Sequence, residues 1–251
     1  MGLLDGKVVL VTGSSRNLGA GTARCLAREG ATVAVNYLKN KDKADEVAES
    51  IRSLGQTASV WQCDVTDSSA VEKMIEGIVS EHGRIDAVIN NATAGGTKGW
   101  SPDNWPSFVD AYEANMLGPI NTMHFALPYM QKQGGGRFVN IISQAYLEAN
   151  PNVAHSYMAA KAALVTFTRV LVAELGPHNI TINCVSPGWT RTDRMPPDID
   201  DADWVKHTPL MRVPEAYDVG DVCVFLLSDL ARHITGCFIP ADGGRIPQLG
   251  A

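Results

Sequence analysis

The sequence has few cysteines for its length, and they form no pattern. The 251 residues include five cysteines, an odd number, and no two of them make a CxxC pair. Such spacing predicts neither a disulfide framework nor a zinc site, and it favours a reducing, cytoplasmic location. The six histidines are also scattered without ligand spacing, so no metal site is expected.

Long hydrophobic runs and an excess of basic charge are missing as well. No apolar stretch approaches the length that crosses a bilayer, and the N-terminal run reaches a glycine turn too early for a secretory signal. Lys and Arg number 21 against 27 Asp and Glu, which gives a formal net charge of −6. This balance argues against nucleic acid or a membrane as partner, although a local basic pocket for a phosphate is allowed.

Short apolar strands alternate with helical segments along the whole chain. Strands are predicted at 8–11, 31–35, 58–62, 86–90, 137–142, 180–185 and 237–240. Helices are predicted at 20–30, 43–55, 68–83, 153–176 and 219–230, with one long or broken helix at 103–132 that prolines interrupt. The alternation predicts an α/β fold, a doubly wound parallel sheet of about seven strands with helices on both faces. Residues 1–251 are expected to form one domain, with a substrate-covering loop around 187–215.

A glycine-rich loop follows the first predicted strand. TGSSRNLGAG (12–21) joins that strand to the first helix, at the sheet edge where doubly wound folds bind ligands. Glycines let the backbone approach a pyrophosphate, and the helix N-terminus adds free N–H groups and a positive dipole end. The loop therefore predicts a nucleotide site, and the alternative is an ordinary tight turn.

A tyrosine and a lysine stand four positions apart in HSYMAAKAAL (155–164). On a helix, Tyr157 and Lys161 share one face and lie one turn apart. A free phenol has a pKa of about 10, and a nearby ammonium favours the phenolate, which predicts a lowered pKa for Tyr157. The pair is a candidate general acid and base, and the alternative is two polar residues on a solvated helix face.

In this order, the motifs resemble those of the short-chain dehydrogenase/reductase family. The family motif TGxxxGxG matches Thr12 to Gly19, except that Asn17 replaces the middle glycine. Asparagine tolerates a left-handed backbone, so the turn is expected to survive. Further matches follow the third, fourth and sixth strands: Asp64-Val65, Asn90-Asn91-Ala92 (with Thr93 where the family has glycine) and Ser186-Pro187-Gly188. The resemblance covers nearly the whole chain and implies a single-domain Rossmann fold that binds NAD(P).

The resemblance implies that segments from several strand ends hold the coenzyme. The candidate coenzyme-binding residues are Gly13, Ser15, Arg16, Asn17, Leu18, Gly19, Asn36, Tyr37, Asp64, Val65, Asn91, Ala92, Tyr157, Lys161, Pro187, Gly188, Thr190 and Thr192. No acid stands at the end of the second strand, where Tyr37 takes the place of a residue that would bind a ribose hydroxyl. Arg16 can pair with a 2′-phosphate, and Asn36, Lys39 and Lys41 are further candidates. NADP(H) is therefore favoured over NAD(H).

The family also implies four catalytic residues, Asn115, Ser143, Tyr157 and Lys161. Tyr157 would be the acid in reduction and the base in oxidation, and Ser143 would bind and polarise the carbonyl oxygen. Lys161 would tune Tyr157 and hold the ribose, and Asn115 would hold a water that passes protons to Lys161. Ser143 precedes Tyr157 by 14 positions, one more than expected, so one inserted residue is inferred between them. Without that insertion Gln144 would take the place of the serine.

The implied activity interconverts a carbonyl and a secondary alcohol by hydride transfer. Local similarity is strongest to 3-oxoacyl-(acyl-carrier-protein) reductases, which dock an acidic carrier with basic residues before the fifth and sixth strands. This chain has Gln133-Gly134-Gly135 and Pro177-His178-Asn179 there, with only Lys132 nearby. A free ketone, aldehyde or alcohol is therefore favoured over an acyl-carrier substrate. A nucleotide-binding sensor or scaffold is a further alternative, and the family's pairing of its long helix across subunits implies a homotetramer or a homodimer.

Overall fold

The computed structural model describes residues 2–96, 98–99, 101–144, 154–193, 205–206 and 208–245. The strands are β1 Val8–Val11, β2 Thr32–Tyr37, β3 Ala58–Gln62, β4 Ala87–Asn90, β5 Gly136–Ile141, β6 Ile180–Pro187 and β7 Phe238–Ala241. The α-helices of the described part are α1 Asn17–Arg28, α2 Lys41–Arg52, α3 Ser68–His82, α4 Trp105–Tyr112, α5 Gly118–Lys132, α6 His155–Leu175 and α7 Ala216–Leu227.

All the strands run parallel in one sheet, in the order β3-β2-β1-β4-β5-β6-β7. The order reverses between β1 and β4, so the connections leave these two strands in opposite directions. A crevice opens at their carboxyl ends, and doubly wound sheets bind ligands in such a crevice. The α/β fold predicted from the alternation of strands and helices is confirmed.

Successive side chains of β1 enter two different cores. Val9 and Val11 belong to the hydrophobic cluster under α1, α2 and α7, whereas Val8 and Leu10 belong to the cluster under α3, α5 and the end of α6. Alternate residues of a strand point to opposite faces, and here each face is covered by helices. This explains why β1 is apolar at every position rather than at every second one.

The element boundaries near the crevice differ from those predicted. Helix α1 begins at Asn17 rather than at residue 20, because the end of the glycine loop already takes up the first helical turn. Strand β2 extends to Tyr37 rather than to residue 35, which carries Asn36 and Tyr37 to the edge of the crevice. Both shifts lengthen regular structure toward the predicted nucleotide site.

The helix predicted at 103–132 is not interrupted at its prolines, but a π-helical turn divides it into two α-helices. Pro106 and Pro119 lie in the first turns of α4 and α5, where a missing N–H leaves no hydrogen bond unmade. Between these helices, Glu113–Leu117 forms a π-helical turn that contains Asn115. The Asn115 Nδ2 donates to the carbonyl of Ala111 at 2.7 Å. Single π-turns inside α-helices occur often at functional sites.

The substrate-covering loop predicted around 187–215 is described in part, since residues 194–204 and 207 lie outside the described residues. Among the described residues, no helix is long and apolar enough to span a membrane. In the same part of the chain, no group of His, Cys, Asp or Glu side chains is arranged to hold a metal ion.

Candidate active site

A cleft of about 910 Å³ runs along the carboxyl ends of the strands. All the candidate coenzyme-binding residues line this cleft, and so do Lys39 and Ser143. Lys41, the further candidate for the 2′-phosphate, does not line it and is paired with Asp45 at 2.6 Å. Asn115 lies beneath its wall and is fully buried. The structure therefore brings together positions that are up to 179 residues apart in the sequence, from Gly13 to Thr192. The volume, the helix N-terminus and the glycine loop fit a dinucleotide.

Two asparagine side chains hold the glycine loop in place. Asn36 is buried, and its Oδ1 accepts a hydrogen bond from the backbone N–H of Gly13 at 2.9 Å. Asn91 Nδ2 donates to the carbonyls of Thr12 at 2.8 Å and Gly13 at 3.2 Å. Asn36 was predicted as a candidate for the 2′-phosphate, but its Nδ2 donates to the backbone carbonyls of Trp61 and Cys63. Its side chain thus supports the loop from below.

The loop residues themselves are shaped for a close approach of a ligand. Asn17 has φ 50°, so the asparagine does adopt the left-handed conformation expected of the glycine that it replaces. A Cβ on Gly19 would lie 2.5 Å from Asn91 Nδ2, which only glycine avoids. The first turn of α1 carries no acidic side chain. Its N–H groups and positive dipole end therefore face the cleft without a competing charge from that turn.

Helix α6 presents the tyrosine and the lysine to the floor of the cleft. The hydroxyl groups of Ser143 and Tyr157 are hydrogen-bonded to each other. The extra residue between them therefore does not separate the pair, and Ser143 rather than Gln144 contacts Tyr157. Gln144 is buried, and its Oε1 has no hydrogen-bond partner among the described residues.

Lys161 lies one turn further along α6 and is buried completely. Its Nζ donates to the carbonyl of Ile141, at the end of β5, at 2.7 Å. The Nζ lies 5.7 Å from the centre of the Tyr157 ring. Burial disfavours the ammonium and lowers the pKa of Lys161 to about 8, while the neighbouring Cys184 opposes this shift.

The predicted lowering of the Tyr157 pKa is wrong for the chain alone. Burial of the phenol raises its pKa above 10, and the hydrogen bond from Ser143 only partly offsets this. The sequence places the ammonium one turn away, but it does not show that both groups are buried and that the Lys161 Nζ is bonded to Ile141. In such surroundings, the loss of hydration destabilises the phenolate more than the attraction of the distant ammonium stabilises it.

Asn115 is held by contacts that leave each polar atom of its side chain bonded to protein. Its Oδ1 accepts from the hydroxyl of Thr93 at 2.6 Å, and its Nδ2 donates to the carbonyls of Ala94 at 2.9 Å and Ala111. Thr93 and Ala94 line the cleft after β4. These bonds join the π-turn to the cleft wall, and the water-holding role of Asn115 stays a prediction.

Sequence reasoning missed the role of Thr93. The threonine was noticeable only as a departure from the family's glycine, which has no side chain and cannot make this bond.

Replacing Thr93 by Val keeps the shape and removes the hydroxyl, so we expect a free energy of unfolding lower by about 1–3 kcal/mol, the cost of leaving a buried acceptor unsatisfied. Chemical denaturation of Thr93→Val and Thr93→Ser checks this. Ser keeps the hydroxyl and should retain most of the stability, and equal losses in both variants would contradict the assignment.

Comparisons with known proteins agree with this geometry. A family model described as enoyl-(acyl carrier protein) reductase matches residues 13–245. The cyclohexanol dehydrogenase of Rhodococcus sp. (strain TK6) is 38% identical over 263 aligned positions, covering 96% of either chain. A 3-oxoacyl-[acyl-carrier-protein] reductase of Staphylococcus epidermidis is 35% identical over 95% of this chain and 98% of its own. A solved 7α-hydroxysteroid dehydrogenase, complexed with NADH and 7-oxo glycochenodeoxycholic acid, has a TM-score of 0.90 at 31% identity, covering 98% of this chain and 97% of that one.

Proposed function

The chain belongs to the short-chain dehydrogenase/reductase family, and from that premise we propose that it is an NADP(H)-dependent reductase of free ketones or aldehydes. At the coarser level it is an NAD(P)-dependent oxidoreductase that interconverts an alcohol and a carbonyl, so the alternative of a sensor or scaffold without catalysis is not retained. The observation that carries the proposal is the hydrogen-bonded pair of Ser143 and Tyr157 above the buried Lys161.

Residues on both sides of the crevice would hold the coenzyme. The glycine loop and the N-terminus of α1 would bind its pyrophosphate, Asp64 and Val65 would contact the adenine, and 187–192 would contact the nicotinamide end. Bound there, the coenzyme supplies the hydride in reduction and accepts it in oxidation. Arg16 at the cleft mouth, with 43% of its side chain exposed, is positioned for a 2′-phosphate. No acid lines the cleft at the end of β2 to repel that phosphate.

The protein's own groups position the carbonyl and move the proton. The Ser143 hydroxyl donates a hydrogen bond to the carbonyl oxygen and so fixes it beside the Tyr157 Oη. Tyr157 donates its proton to that oxygen in reduction and takes it back in oxidation. A raised pKa keeps the phenol protonated at neutral pH, which suits the reductive direction. Lys161 would return a proton to Tyr157 through the ribose, because the Lys161 pKa of about 8 is close to neutral pH.

The surface away from the cleft supports a free substrate over a carrier-bound one. Gln133–Gly135 and Pro177–Asn179 lie before β5 and β6, at the opposite edge of the sheet from the cleft. Arg137 is close to both segments, but its guanidinium is bonded to the carbonyls of Gly136 at 2.9 Å and Asn179 at 3.1 Å. Lys7 and Arg84 lie at the same edge, but both are paired with Asp86, at 3.7 Å and 2.6 Å, which reduces the positive charge that an acidic carrier would meet. Two of the relatives are named for free alcohols, cyclohexanol and a 7α-hydroxysteroid.

Coenzyme titration followed by a substrate panel tests the proposal. We expect NADPH to bind more tightly than NADH, and Arg16→Ala to weaken NADPH by about fivefold or more, since a charged pair with phosphate is lost. Fluorescence titration measures both dissociation constants. Rates with cyclic and open ketones, against a 3-oxoacyl thioester of the carrier protein, then separate the two substrate classes. Tighter binding of NADH would overturn the coenzyme proposal, and turnover of the thioester alone would overturn the free-carbonyl proposal.

The oligomeric state and the cellular location of the chain are further proposals. We propose that the chain forms a homotetramer, or at least a homodimer, through its long helix α6, and that it works in the cytoplasm. Val170 on this helix is 61% exposed in the single chain, and a subunit contact there would remove its apolar surface from water. Analytical ultracentrifugation gives the oligomeric state directly.

A further inference from the structure

Asp193 connects the start of the substrate-covering loop to the glycine loop across the mouth of the cleft. Its Oδ1 accepts a hydrogen bond from Asn17 Nδ2 at 2.8 Å, and its backbone N–H donates to Asn17 Oδ1 at 3.0 Å. The side chain that replaces the motif glycine thus makes two reciprocal bonds to a residue 176 positions away. A glycine at position 17 could make neither bond.

The other oxygen of Asp193 lies between two cations. Its Oδ2 is 3.1 Å from Arg16 NH1 and 3.5 Å from Lys43 Nζ. The hydrogen bonds from Asn17 and Arg16 lower the pKa of Asp193, so its carboxylate is charged at neutral pH. About a third of the Asp193 side chain and under half of the Arg16 and Lys43 side chains remain exposed. Arg16 lines the cleft, Asp193 lies against Arg16 and Lys43, and all three charges are partly screened by water.

We propose that Asp193 sets the coenzyme selectivity by competing with the 2′-phosphate for Arg16 and Lys43. The inference rests on the proposed coenzyme site, in which Arg16 is the residue placed for that phosphate. The carboxylate of Asp193 cancels one of the two positive charges of Arg16 and Lys43. A bound 2′-phosphate must therefore share these two cations with Asp193 or displace Asp193 from them. NAD(H) has no such group and does not meet this competition. Asp193 therefore reduces the ratio of NADP(H) affinity to NAD(H) affinity. The two hydrogen bonds with Asn17 hold Asp193 in the position where it competes.

The variant Asp193→Asn tests the proposal, because it removes the charge and keeps the size of the side chain and an oxygen that can accept from Asn17. We expect the dissociation constant of NADPH to fall by about fivefold, the size of one partly exposed charge interaction, while that of NADH stays within about twofold. Fluorescence titrations with both coenzymes measure this, and titrations with 2′,5′-ADP and 5′-AMP repeat it without the nicotinamide. The gain should shrink at high salt and shrink again in the background of Arg16→Ala, where Lys43 is the remaining cation of the pair.

Asp221→Asn is the matched control, since it removes the same charge from an exposed ion pair with Arg28 at the far end of α1. Its ratio of NADPH to NADH affinity should equal that of the native chain. An equal change for both coenzymes in Asp193→Asn, or no change, would overturn the competition. If the native chain preferred NADH, the proposal on Arg16 would fail, whereas a shift of Asp193→Asn toward NADPH would still support the role of Asp193.

Discussion

Replacing Tyr157 by phenylalanine is expected to lower kcat for ketone reduction by about a thousandfold, within the range of general acid catalysis. The change removes one hydroxyl, the proposed proton donor, which is bonded to Ser143. The ring stays, so the packing of α6 and the shape of the cleft are kept. The dissociation constant of the preferred coenzyme should change by no more than a few fold, because the remaining residues that line the cleft are untouched. Steady-state kinetics and coenzyme titration on the same preparation measure both quantities.

Tyr217→Phe is the control for this variant. Tyr217 lies on α7, is 44% exposed and does not line the cleft, so the loss of its hydroxyl should leave kcat unchanged. A Tyr157→Phe enzyme with native turnover would mean that another group donates the proton. Parallel loss of turnover and of coenzyme binding would instead indicate that the cleft itself had collapsed, and a thermal unfolding curve separates these two outcomes.

The predicted positions that line the cleft depend on local structure. Strand ends, the glycine loop and the spacing of Tyr157 and Lys161 follow from short segments. A parallel sheet then gathers every carboxyl strand end at one edge. This is why residues predicted from separate motifs line one cleft. Even the replacement at Asn17 could be judged in advance, since a left-handed backbone is a local property, and its φ of 50° agrees.

What sequence reasoning could not supply depends on contacts between distant segments. Nothing near Asp193 indicates that its carboxylate lies against Asn17 and Arg16, because that contact depends on how the loop after β6 crosses the cleft. The hydrogen bond that joins Thr93 to Asn115 in the π-turn likewise connects residues 22 positions apart. The direction of the Tyr157 pKa shift was wrong for the same reason. Helical spacing fixes the distance to Lys161, whereas burial decides which protonation state of each group is favoured.

Lys161→Met is expected to reduce kcat/KM by about a hundredfold or more and to change how stability depends on pH. Burial lowers the pKa of Lys161 from 10.5 to about 8, so the folded chain gives up this proton more readily than the unfolded chain. Between these two pKa values the unfolded state binds more protons, and the stability of the native chain rises with pH. Well below pH 8 both states are protonated, and the folded state carries the full cost of lowering the pKa from 10.5 to about 8, on the order of 3 kcal/mol.

The methionine variant has no such proton, so its free energy of unfolding lacks this contribution at every pH. The carbonyl of Ile141 loses its hydrogen-bond partner in the variant. That cost is the same at each pH, so it does not affect how the difference in stability between variant and native chain changes with pH. Relative to the native chain, the variant should therefore lose about 1 kcal/mol per pH unit on average between pH 8 and pH 10, because the limiting slope of about 1.4 kcal/mol per unit holds only midway between the two pKa values. Urea unfolding at pH 7, 8, 9 and 10 measures the difference, with the exposed Lys132→Met as control. A difference that stays flat across this range would show that burial does not penalise the ammonium, and the proton-return role assigned to Lys161 would lose its physical basis.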